Sequence, residues 1–128
     1  MANRKVEIRE HAKDLSLLRM AKARETLIPL LANAFQARRI WIFGSTARLD
    51  ASEDSDMDVF VETDDKFRTI RFLDRQDIVL NVLEEARKQG FNLPCDIIPW
   101  TTREVVEGWK GSWMKTIREE GILVHERV

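Results

Sequence analysis

The chain has 128 residues, 44% hydrophobic and 34% charged, a soluble balance that fits one domain with a single core. The lone cysteine, Cys95, excludes an internal disulfide and suits a reducing cytoplasm, and no apolar run approaches the length of a membrane span or a signal segment. The net charge of −1 conceals a basic front (+6 over residues 1–48) and an acidic remainder (−7 over 49–128), and a pI near 6.1 gives no indication of sequence-specific nucleic-acid binding.

In chain order, Leu15, Leu18, Ala21, Leu27, Leu31 and Ala34 recur at helical spacing over 11–35, and Pro29 kinks that helix or starts a second. Residues 40–43 form a short β-rich run ending at Gly44, and 57–61 a second strand. The pattern over 74–89 predicts a helix with a charged first turn and Gly90 just past its end. Residues 93–99 (LPCDIIP) read as a strand whose prolines mark its start and stop. Thr101 and Glu104 predict a capping box, Ser112–Glu120 a last helix and 122–124 a last strand. No repeat or linker interrupts this series. We expect one α/β (α+β) domain over 1–128, a small mixed sheet with flanking helices, with a helical segment at about 9–36 and a core at about 38–127.

Asp56-Met57-Asp58 opens the second strand, although strands disfavour aspartate. Residues i and i+2 share a face, so the two carboxylates project together, their Cα atoms about 6.5–7 Å apart, while Met57, Val59 and Val61 face the core. Two unpaired carboxylates repel each other, and a divalent cation reverses that cost; hard oxygen ligands favour Mg²⁺. The plainer alternative is an acidic turn, DASEDSD, that overruns into the strand and lies in solvent. Asp96 is a further isolated acid in an apolar strand; if that strand neighbours the first, at about 4.8 Å, three carboxylates converge. Upstream, Gly44-Ser45 falls where a strand turns into a helix N-terminus, a place suited to phosphate. A phosphate cradle beside carboxylates suits metal-assisted phosphoryl or nucleotidyl transfer.

Gly44-Ser45-x-Ala47-Arg48, six residues, then Ser55-Asp56-x-Asp58 resembles the signature of the minimal nucleotidyltransferases (MNT) of the DNA polymerase β-like superfamily. Asp96 in CDIIP matches the third acid of that family, and residues 117–127 resemble its ending, so the likeness runs over about 15–127. The resemblance implies the polymerase β-like nucleotidyltransferase fold. It implies that Asp56 and Asp58 hold one or two Mg²⁺ ions, and that Asp96 completes the second metal site and helps deprotonate the attacking hydroxyl. Ser45 and the Gly44 backbone would hold the β- and γ-phosphates of ATP or another NTP. Arg48 would touch phosphate or, the reading we favour, pair with the acidic loop that follows. Two positions depart from the pattern: Leu49 stands where the family usually has Gly, at a cost of about 1 kcal/mol or more if the turn needs φ > 0, and His125 stands where Tyr is usual.

Cys95 is expected to face away from Asp96 in an apolar setting. His11 and His125 stand alone, and Trp41, Trp100, Trp109 and Trp113 are expected to pack in the core and between helices. The resemblance implies a Mg²⁺-dependent enzyme moving AMP from ATP to a hydroxyl. The same resemblance implies the acceptor, a tyrosine of a helical HEPN-type toxin with the chain acting as antitoxin, and a chain with little beyond a catalytic core fits dependence on a partner for its acceptor. A catalytically silent antitoxin acting by binding and a small-molecule (antibiotic) nucleotidyltransferase are the alternatives; homo-oligomerisation is left open.

Overall fold

The computed structural model describes residues 3–128. Helix α1 (Arg4–Lys22) continues through a π-helical turn at Ala23–Leu27 into α2 (Ile28–Phe35). It begins seven residues before the expected start at 11, because Asn3 caps it, its side chain accepting from the Lys5 N–H at 2.9 Å. Residues 3–10 are all exposed and so carry no apolar period to read. Pro29 sits at the start of α2, where a missing N–H is tolerated, and the widened π turn before it lets the helix run on.

Four strands, β1 (Arg39–Phe43), β2 (Met57–Thr63), β3 (Cys95–Thr101) and β4 (Ile122–Glu126), form one mixed sheet in the order β3-β2-β1-β4. Strand β1 pairs antiparallel with β2 and with β4, and β3 lies parallel to β2. A parallel neighbour requires a long crossover, and α4 (Phe72–Lys88), preceded by a 3₁₀ turn at Asp65–Thr69 too short to show a period, supplies it. The short helices α3 (Gly44–Ala47) and α5 (Thr102–Glu107), and α6 (Ser112–Glu120), complete the chain.

Both sheet faces are covered, which is why β2 is buried almost throughout. Met57, Val59 and Val61 join Leu27, Leu31, Phe35, Val79 and Val82 in the main core. On the other face Phe60 lies among Ile98, Val105, Met114 and Ile117, with Trp41 and Trp100 at ring-centroid distances of 5.8 and 5.7 Å. Strand β3 is displaced by two residues from the expected 93–99, beginning at Cys95 and ending at Thr101, and keeps Pro99 inside it. As an edge strand it tolerates the lost donor. Thr101 then caps α5 in the expected capping box with Glu104, and buried Arg75 of α4 donates to Glu104 at 2.6 Å and to the Pro99 carbonyl. Trp109 and Trp113 depart from the packing expectation: both are half-exposed, Trp109 beneath the Arg118 guanidinium at 4.4 Å. No helix among the described residues is long and apolar enough to cross a membrane.

Leu49 does adopt the left-handed conformation, with φ of +62°. Its side chain packs against the main core, which offsets that cost. Replacing it by Ala or by Gly removes the same packing, but only Ala keeps a Cβ in the strained region. Leu49→Gly is therefore expected to be more stable than Leu49→Ala by about 1 kcal/mol, read from urea denaturation midpoints.

Candidate active site

The sheet places its acids at one end. Asp58 is the second residue of β2 and Asp96 the second of β3, and the parallel register sets them directly opposite each other. Asp56 precedes β2 by one residue and is held near the same edge by the Met57 N–H, which donates to the Pro94 carbonyl at 2.9 Å. Asp56 and Asp96 are exposed, and Asp58 is half-buried. Burial, then the charges of Asp96 and Asp56, hold the Asp58 carboxyl above the ordinary aspartate range, with Arg48 pulling the other way.

Across the sheet, Asp58 is the register partner of Phe43, the residue before Gly44. Gly44 opens α3 with φ of +72°, and a Cβ there would collide with the Asp58 Oδ2. Only glycine lets the chain turn this close to the carboxylate. Ser45 is half-buried on the same turn, and Thr46 is fully buried with an Oγ1 that has no hydrogen-bond partner. Arg48 does not pair with the acidic loop that follows it. Its guanidinium instead donates to Glu120 of α6 at 2.9 Å, joining α3 to the last helix.

The acidic loop is held from behind. Ser55 Oγ donates to the Ser52 carbonyl and accepts from its N–H, closing the turn on itself. Arg19 of α1, buried to 3% exposure, donates to the Ser55 carbonyl at 2.6 Å and to that of Glu53 at 3.4 Å. Ser16 accepts from the Ala51 N–H at 3.0 Å. These α1 contacts were not foreseen. The sequence signal was slight: Ser16 and Arg19 share the stripe that buries Met20 and Ala23.

Cys95 is on the opposite face from Asp96, packed at the rim of the main core. Burial pushes its thiol up to about 12, which keeps it from acting as a thiolate. His11 lies 3.7 Å from Glu53 with both groups well exposed, and His125 lies in β4, away from the acids. Beside Gly44, Phe43 and the half-exposed Trp113 bound a shallow slot with Ser112 and Thr116.

Among the described residues, no three His, Cys, Asp or Glu side chains are gathered into a ready-made metal cage. The donor set nevertheless fits a hard cation that takes one or two carboxylates and fills its remaining positions with water and phosphate oxygens. The residues are all-oxygen, mutually repelling, and left clear by the missing Cβ at Gly44. Acids on adjacent strand starts, facing a glycine turn into a helix, define a class of protein suited to phosphate-ester chemistry. Residues 25–127 match the family described as "Polymerase beta, Nucleotidyltransferase", and the chain belongs to that nucleotidyltransferase family. Among solved structures, a Sulfolobus solfataricus protein provisionally named a nucleotidyltransferase has the same fold, with a TM-score of 0.60 at 21% identity over 91% of this chain and 88% of that one. No curated protein matches the sequence.

A carboxyl held above its unfolded pKa favours folding only while protonated. That contribution is complete below an unfolded aspartate's value of about 3.9 and is lost as pH rises through the raised folded value. With metal removed by EDTA, Asp58→Asn is therefore expected to melt above wild type at pH 7, the difference shrinking as pH falls toward 4. Gly44→Ala is expected to lose at least about 1–2 kcal/mol from backbone strain alone, measured by urea denaturation.

Proposed function

We propose that this nucleotidyltransferase moves a nucleoside monophosphate, AMP from ATP, to a hydroxyl, with Asp56, Asp58 and Asp96 as its catalytic acids. The observation that carries the reading is the in-register pairing of Asp58 with Asp96 against the Gly44 turn. Asp56 and Asp58 would hold Mg²⁺, with Asp96 completing a second site. Bound there, Mg²⁺ would supply positive charge to the phosphate oxygens as negative charge develops on them.

The protein's own groups do the rest. The Gly44 backbone and Ser45 would hold the β- and γ-phosphates, leaving the α-phosphorus facing the acids. Arg48, released from Glu120 or shared with it, would reach the phosphates from α3. The acceptor hydroxyl would give its proton to Asp96. Its oxygen would form the new bond to the α-phosphorus as the bond to the bridging oxygen breaks and pyrophosphate leaves in line.

Asp56 and Asp96 are exposed at the rim of the sheet, so a bulky acceptor can reach them. Together with the resemblance to minimal nucleotidyltransferases, that access supports a macromolecular acceptor, a tyrosine hydroxyl of a HEPN-type helical toxin, with this chain as its antitoxin. The test is incubation with α-labelled ATP, Mg²⁺ and the candidate toxin, alongside an Asp56→Asn/Asp58→Asn pair. Loss of several kcal/mol of charge stabilisation predicts at least about a 100-fold fall in labelling for the double variant. Toxin neutralisation without any label, equal in wild type and double variant, would replace this reading with an antitoxin that acts by binding.

A further inference from the structure

Two arginines are almost fully buried, and they are treated differently. Arg75, at 2% exposure, has Glu104 as counter-ion at 2.6 Å. Arg19, at 3% exposure, has no carboxylate within 4 Å among the described residues. A buried charge without an ion partner is costly, and here even the Nε makes no hydrogen bond. The rest of the guanidinium is directed at one target, the turn that ends in Ser55. It donates to the Ser55 carbonyl at 2.6 Å and the Glu53 carbonyl at 3.4 Å, with Ser55 Oγ at 3.5 Å. The peptide that carries the Ser55 carbonyl is the one that leads into Asp56.

Ser16, on the same stripe of α1, secures the other end of the loop. Its hydroxyl donates to the Ala12 carbonyl at 2.7 Å and accepts from the Ala51 N–H at 3.0 Å. Residues 51–55 are thus pinned at both ends to a helix lying outside the matched family region, which begins at residue 25.

We propose that Arg19, assisted by Ser16, is a positioning residue for the metal-binding acids. It fixes the peptide before Asp56 and so the placing of the carboxylates at the start of β2. The proposal rests on the reading that Asp56 and Asp58 hold a divalent cation. Groups that orient metal ligands from behind typically alter metal affinity about 10–100-fold when removed.

The experiment is Mn²⁺ binding to the full chain without nucleotide, followed by electron paramagnetic resonance of free Mn²⁺, with amide hydrogen exchange over 51–58 measured in parallel. Arg19→Met is expected to weaken Mn²⁺ binding about 10–100-fold and to speed exchange across the loop. Arg19→Lys keeps a donor but cannot span both carbonyls, and should recover part of the affinity. Arg75→Met serves as the comparison for a merely structural loss: it should lower the melting temperature and leave Mn²⁺ affinity as in wild type. A folded Arg19→Met that binds Mn²⁺ as tightly as wild type overturns the proposal, as does an Arg75→Met that weakens binding equally. Should Arg19→Met fail to fold, wild-type affinity in Arg19→Lys overturns it. Absence of any Mn²⁺ binding that the Asp56→Asn/Asp58→Asn pair abolishes would sink the metal reading itself. Loop exchange then decides on Arg19 alone, and unchanged exchange in Arg19→Met or Arg19→Lys overturns its role.

Discussion

The parallel pairing of β3 with β2 is the constraint on which the rest of the molecule depends. It sets Met57 against Cys95 and Asp58 against Asp96, so that one register decides both where the core begins and where the acids stand. A slip of one residue would turn every side chain of β3 to the other face, driving Asp96 into the main core and Ile97 out of it. The apolar residues on the two faces prevent that slip: Ile97 belongs to the main core and Ile98 to the smaller cluster under α5 and α6. The polar end of the sheet therefore takes its geometry from the hydrophobic end.

That arrangement works against stability at the rim. Three carboxylates occupy adjoining strand starts, and the positive charge that eases Asp58, that of Arg48, is not given over to it. Arg48 is drawn to Glu120, and Arg19 faces carbonyls. Neither neutralises the acids outright, and the Asp58 carboxyl remains displaced toward its protonated form. A site whose acids were fully paired with arginines would be more comfortable when empty and a poorer host for a cation.

Much of this was legible in the chain because local signals agreed with the tertiary outcome. Helix α6 ends where read, between Gly111 and Gly121, and Asp96 was conspicuous as a lone acid in an apolar run. The first turns of α1 were missed because two fully exposed turns carry no apolar period. The extent of β3 was misjudged because Pro99 reads as a stop unless the strand is known to be an edge. The partners of Arg19 and Arg48 lie 36 and 72 residues away, and nothing local distinguishes a buried arginine from a solvated one on a charged helix. The tryptophans were misjudged for a related reason: Trp100 packs while Trp109 and Trp113 remain half-exposed, a difference set by helix placement.

The strand order has a consequence for synthesis on the ribosome. Strand β1 lies inside the sheet, yet one of its two partners, β4, is made last, at Ile122–Glu126. The cover over Phe43, Phe60 and Ile98 is made only slightly earlier, from α5 and α6. Until those segments emerge, a nascent chain has the main core available but an open β1 edge and an apolar face without its lid. Exposed edges of that kind invite pairing with other chains. The end of the sheet that carries the acids is therefore finished late, and the interval before β4 arrives is when this sequence is most open to misassembly.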